Sequence, residues 1–142
     1  MANKTEAIID VIIHATEDIE KFYYSFEKIF NIQREQLVTQ NLSGHYDNPI
    51  TVLTGKFSKK NASLFVEKLI QNIPAEELSR IIEELDELVS NAGLHLRFDK
   101  QEFVKGKLFI QEKNALKVKI YTPVYNKKDT ADAYLELLHR SN

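Results

Sequence analysis

The chain has 142 residues, a length that makes one domain with a single core, and at 43% hydrophobic and 28% charged it has the composition of a folded globular protein and not of a disordered one. It has no cysteine, which removes disulfides, thiol nucleophiles and thiolate metal sites, and its net charge of −2 does not by itself point to a polyanion partner. No apolar run approaches the roughly 20 residues of a membrane span, and MANKTEAIID lacks the basic start and apolar stretch of a signal peptide, so a cytoplasmic protein without membrane attachment is expected.

Residues 7–14, AIIDVIIH, alternate as a sheet strand, with Ile9, Val11 and Ile13 on one side and Ile8, Asp10, Ile12 and His14 on the other. Thr16 is the expected N-cap of a following helix, and Glu17 and Asp18 suit the positive end of its dipole. That helix carries an apolar stripe of Ile19, Phe22, Tyr23, Phe26, Ile29 and Phe30. A strand is expected over 34–40 and another over 50–57, ITVLTGKF. The connection LSGHYDNPI, 42–50, lies between them. Ser58 opens a helix that runs through Asn72, with Ala62, Phe65, Val66, Leu69 and Ile73 toward the core. Pro74 breaks it and starts a second helix to about Asn91 that Gly93 stops. LHLRF, 94–98, alternates as a strand, a short helical turn covers 100–104, and KLFIQEK and ALKVKIYTP form two further strands. In the last of these Leu116, Val118 and Ile120 face one way while Lys117, Lys119 and Tyr121 face the other. A final helix opens at Asp129 or Thr130 and packs Tyr134, Leu135 and Leu138. The order β-α-β-β-α-α-β-(α)-β-β-α predicts one α+β domain over 1–142, with a single mixed or antiparallel sheet and helices mainly on one face.

Charge is unevenly spread. From Arg97 to Lys128 nine basic residues, including Lys127 and Lys128, meet three acidic ones, a local excess of six positive charges that leaves eight negative on the rest of the chain. Such asymmetry can turn a basic face toward phosphates on a mildly acidic molecule. The candidate phosphate contacts are Arg97, Lys100, Lys105, Lys107, Lys117 and Lys119. In LRFDKQ, 96–101, Asp99 can instead pair with a neighbouring cation or cap the next turn.

The four histidines, His14, His45, His95 and His139, form no HxxxH or HExxH pattern and fall on different elements, so no metal site is read from the sequence. His14 shares a strand face with Asp10, an arrangement that could orient an imidazole as a base, but a histidine at a strand end held by adjacent cap residues accounts for it better. No serine lies in GxSxG or SxxK, and no glycines make a phosphate loop, so no reaction and no cofactor is implied. In the 42–50 connection, Gly44 at positive φ and Pro49 starting the next strand make a turn. His45 and Tyr46 add two rings able to stack on bases, with Asp47 and Asn48 as polar edges, so both a turn and a contact surface remain open.

HATED (14–18), SGHYDNPI (43–50) and LRFDKQ (96–101), in this order and spacing, resemble an archaeal family of small proteins described as RNA-binding and predicted to be exosome-associated, over nearly the whole chain to the strand ending near Tyr121. The resemblance implies a fold like that of the large-subunit ribosomal protein that binds 5S ribosomal RNA, a homodimer, and RNA, exosome or ribosome-related proteins as partners. The family's loop carries a glycine before Asn-Pro where this chain has Asp47, which puts negative charge beside the contact surface.

The leading reading is a non-catalytic RNA-binding protein, an accessory of RNA processing or degradation, whose contacts are Arg97, Lys100, Lys105, Lys107, Lys117 and Lys119 with His14, His45, Tyr46, Asn48 and Phe98. One alternative is a protein-interaction module that uses the acidic helix over 74–91 and the basic sheet face. Another is a metal-assisted nuclease or hydrolase built from Asp10, His14, His45 and Asp99.

Overall fold

The computed structural model describes residues 4–124 and 130–140; Lys127, Lys128 and Asp129 lie outside them. Strand β1 (Glu6–His14) is followed by helix α1 (Ile19–Phe30), then β2 (Val38–Ser43), β3 (Pro49–Ser58), α2 (Lys59–Asn72), α3 (Ala75–Glu83) and α4 (Leu85–Leu88). The remainder is β4 (Val89–Ser90), β5 (Gly93–Asp99), α5 (Lys100–Val104), β6 (Ala115–Tyr121) and α6 (Thr130–Arg140). Among the described residues the strands form one six-stranded sheet in the order β2-β3-β1-β6-β5-β4, and every adjacent pair is antiparallel. This is the α+β architecture expected from the sequence.

The period-2 pattern of β1 fixes the two faces. Ala7, Ile9, Val11 and Ile13 are buried under the helices, and each fully buried aliphatic side chain contributes about 1.5–3 kcal/mol. The same face takes Leu53 of β3, Leu94, Leu96 and Phe98 of β5, and Leu116, Val118 and Ile120 of β6. Onto it pack α1, α2 and α5, locked by rings: Phe103 of α5 meets Phe26 edge-on at 5.1 Å, and Phe30 meets Phe65 of α2 at 4.8 Å. Tyr134 anchors α6, its hydroxyl accepting from Thr122 N at 3.1 Å and lying 3.3 Å from Thr122 O.

Several expected boundaries move. Asp18, not Thr16, caps α1, its carboxylate accepting from Glu20 N at 3.0 Å, because the chain makes one more turn after His14 before the helix begins. The strand expected over 34–40 begins at Val38, after a 3-10 turn at Arg34–Gln36 whose preceding residue, Gln33, donates its amide to Gln36 Oε1. The helix expected to reach Asn91 ends at Glu83. After the short α4, β-branched Val89 turns extended and pairs with Leu94.

Gly93 is therefore the start of β5 and not a helix stop. Its φ is 129°, and a Cβ there would lie 2.4 Å from the Ile120 carbonyl oxygen, so only glycine lets β5 approach β6. KLFIQEK forms no strand but a single bridge between Ile110 and Phe98. The Ile110 amide, which a further strand would need, donates instead to Glu77 of α3 at 3.3 Å.

Candidate nucleic-acid interface

No described helix covers the second face of the sheet, and the register decides what it carries. Alternation places Ile8, Asp10, Ile12 and His14 of β1 on this side. Pairing then sets Lys119 opposite Ile8 and Lys117 opposite Asp10, and on the far side of β6 sets His95 opposite Lys119 and Arg97 opposite Lys117. On the β3 side Lys56 lies opposite Ile8 and Thr54 opposite Asp10. Side chains directly opposite in an antiparallel ladder have Cβ atoms about 4.5–5.5 Å apart, so cations 20 or more residues apart in the chain become neighbours.

Together Ile8, Asp10, His95, Arg97, Lys117 and Lys119 line a shallow depression of about 270 Å³. His95 Nε2 is held 3.1 Å from Ser90 Oγ, and Arg97 reaches the Glu112 carbonyl at 3.4 Å. Partial burial pushes the Asp10 carboxyl above the usual aspartate range, and the Lys117 ammonium partly opposes this. Toward β2 the face turns apolar, with Ile12, Val38 and Leu42 exposed.

The remaining candidates do not join this cluster. Lys100 is a correction: only 4% exposed, its ammonium sits 2.8 Å from Glu17 Oε1, so it is spent inside the fold and not offered to phosphate. Phe98 is a second correction, because at 0% exposure it belongs to the core and has no ring face for a base. Lys105 and Lys107 are exposed at the end of α5, on the helix-bearing side, and Lys105 lies 3.7 Å from Glu102. Their surface is separate from the open face.

The 42–50 connection is a tight turn. The Gly44 amide donates to Asn48 O at 2.6 Å, and Asp47 N to Gly44 O at 3.2 Å. The positive φ expected at Gly44 falls instead on Tyr46 (56°) and Asp47 (60°), a conformation uncommon for a large residue. Tyr46 is 92% exposed and Asn48 is exposed, while the His45 side chain lies outside the described residues. The turn sits at the corner of the sheet where Ile50 pairs with His14. His14 is exposed on the open face, about 13 Å along β1 from Asp10 at ~3.3 Å per residue. Asp99 caps α5 by accepting from Glu102 N at 3.0 Å. Among the described residues no three His, Asp or Glu side chains gather as metal ligands, and no helix is long and apolar enough to cross a membrane.

Sequence reasoning passed over His95 and Lys56 as members of the basic face. His95 could have been found from period 2, since it is two residues from Arg97. Lys56 was visible only through its pairing with β1.

A family model described as RNA binding matches residues 6–122. The chain belongs to this RNA-binding family. A crystallised DUF54 protein of Sulfolobus solfataricus is 27% identical with a TM-score of 0.77, over 96% of this chain and 99% of that one. A crystallised DUF54 protein of Archaeoglobus fulgidus (23%, TM-score 0.79, 93% and 97% covered) and a DUF54 protein of known structure from Methanothermobacter thermautotrophicus (24%, 0.72, 97% and 99%) share its fold. None of the curated proteins matches. The match to the RNA-binding family spans β1 to β6 and thus contains the whole open face.

Proposed function

We propose that this protein binds RNA through the open face of its sheet, with Arg97, Lys117 and Lys119 contacting phosphates and Lys56 and His95 beside them. The observation that carries the reading is the register that sets Arg97 opposite Lys117 and His95 opposite Lys119 on a face that no described helix covers. Exposed Tyr46, with His14 and Asn48 at the adjoining corner, offers a ring and polar edges to a strand leaving the basic cluster. Titration of a single strand and of a structured RNA at several salt concentrations tests it. Three phosphate contacts give a log–log slope of about −2 on a single strand, at about −0.7 per contact. Affinity independent of salt would overturn the assignment.

The role is binding without catalysis, and the resemblance extends it to an accessory of RNA processing or degradation in the cytoplasm, associated with exosome or ribosome-related proteins. Co-purification with exosome subunits tests that extension. A homodimer fits the outer edge of β2: Val38 to Ser43 is exposed throughout and has none of the charges or prolines that usually guard a sheet edge. Antiparallel pairing about Gln40 would place Val38 against the partner's Leu42, a self-complementary contact of the kind a twofold axis requires. The competing view, a protein-docking module, is separated by reversing charge at Lys117 and Lys119: loss of RNA with the oligomer unchanged supports the RNA reading, and loss of a protein complex supports the other.

A further inference from the structure

Asp10, on the β1 side of the basic depression, is the one charged group lining it that phosphate binding does not use. It lies opposite Lys117 on one side and Thr54 on the other, with Arg97 one strand further on. Despite that setting, none of the ion pairs or side-chain hydrogen bonds among the described residues includes its carboxylate. With no protein donor its part-buried carboxylate relies on solvent, and a sheet face meant only for phosphate would gain from an uncharged residue there.

An ionised carboxylate is an acceptor with two oxygens, and it is best satisfied by two adjacent donors. Among the RNA bases guanine alone presents such a pair on its Watson–Crick edge, N1–H beside the N2 amino group. Adenine and cytosine place one amino donor next to a ring acceptor, and uracil places one N–H between two carbonyls, so each turns a lone pair toward the carboxylate. Bases splayed from a single strand are read along this edge.

We infer that Asp10 is a specificity residue that reads guanine, accepting from N1–H and N2–H while Arg97, Lys117 and Lys119 hold the flanking phosphates. His95, exposed on β5 across β6 from Asp10, lines the same depression and offers an imidazole plane to a base there. The inference rests on the RNA-binding reading and deepens it by naming the base.

Fluorescence anisotropy with labelled oligouridine, uninterrupted or carrying one central guanosine, inosine or adenosine, tests it. The wild type should bind the guanosine strand about tenfold more tightly than the adenosine strand, the value of one charge-assisted hydrogen bond, with inosine between them because it lacks the N2 amino group. In Asp10→Asn the preference should fall to within about twofold while oligouridine binds at least as well as before, because a repulsive charge has gone. Equal binding of guanosine and adenosine strands by the wild type, or a preference that survives Asp10→Asn, would overturn the inference and leave phosphate binding standing. Failure of the wild type to bind any of the strands would overturn single-strand binding by this face and this inference together.

Discussion

Lys100 Nζ lies 2.8 Å from Glu17 Oε1, and this contact joins two of the three sequence stretches on which the family resemblance rests. Glu17 belongs to HATED and Lys100 to LRFDKQ. Glu17 also accepts from the His14 amide at 2.9 Å, and Gln101 reaches its other oxygen at 3.5 Å, so the end of β1 is tied to the start of α5. Glu17 and Lys100 therefore do structural work at the rim of the sheet, while Arg97 of the second stretch and His14 of the first stand on the open strand face.

The two halves of this pair should not be equally costly to remove. The Lys100 side chain is 5% exposed and the Glu17 side chain 17%. Glu17→Ala leaves an ammonium buried without a carboxylate, which should cost about 3–5 kcal/mol. Lys100→Met keeps the apolar stem and leaves a carboxylate that still holds the His14 amide and can reach water, a loss of about 1 kcal/mol. Urea unfolding of both variants measures the difference, and equal losses would show that the ion pair is not the source of the stability.

Glu17 and Asp10 should act on stability with opposite pH dependence. Burial raises the Glu17 carboxyl, but the His14 amide and the Lys100 ammonium outweigh it and hold the group below the ordinary value of 4.5. A lowered folded value means stability that is present above pH 4.5 and is lost as pH falls through the folded value, so wild type and Glu17→Gln should converge in strong acid. Burial holds the Asp10 carboxyl above 3.8. Its ionisation therefore costs stability as pH rises through the folded value, and Asp10→Asn should unfold at higher urea than wild type at neutral pH but not below pH 3.8. Unfolding midpoints across pH check both signs.

Gly93→Ala should be among the most damaging single changes in the sheet. Its φ of 129° and the 2.4 Å approach to the Ile120 carbonyl oxygen leave no space for a methyl group without parting β5 from β6. Strain of this kind costs about 1–3 kcal/mol before any ladder bonds are lost. Because Arg97 and His95 ride on β5, the variant should also weaken RNA binding, and a folded variant with unchanged midpoint would refute the close approach.

The core was largely legible because period-2 and helical patterns name faces without any knowledge of partners: Val11, Phe26, Leu69 and Val118 are buried as expected. The site was legible only in part. Lys117 and Lys119 follow from alternation within β6, but that Arg97 stands opposite Lys117 is a property of strand pairing across 20 residues, which no local pattern states. Lys100 and Lys119 look alike as charges. What separates them is that α5 begins right after β5 and folds Lys100 back onto Glu17. The end of the helical segment at Leu88, short of Asn91, escaped for a related reason, since no local signal stops it there and the pairing of Val89 with Leu94 does.

Charge reversal at two places should separate a basic face from a basic surface. Lys117→Glu with Lys119→Glu removes two adjacent cations from the open face, so affinity for a single strand should fall at least about tenfold at low salt and the slope should lose about 1.4, two contacts at ~0.7 each. Lys105→Glu with Lys107→Glu changes net charge by the same amount at the end of α5, on the helix-bearing side of the sheet. If long-range attraction to the whole molecule drove binding, both pairs would weaken it alike, because the net charge is the same. If contact drives it, the α5 pair should leave the slope unchanged and shift affinity only slightly, since at 0.15 M salt charges more than about 8 Å from the RNA are largely screened. Salt titrations of the two double variants decide between the alternatives, and a larger loss from the α5 pair would move the interface off the open face.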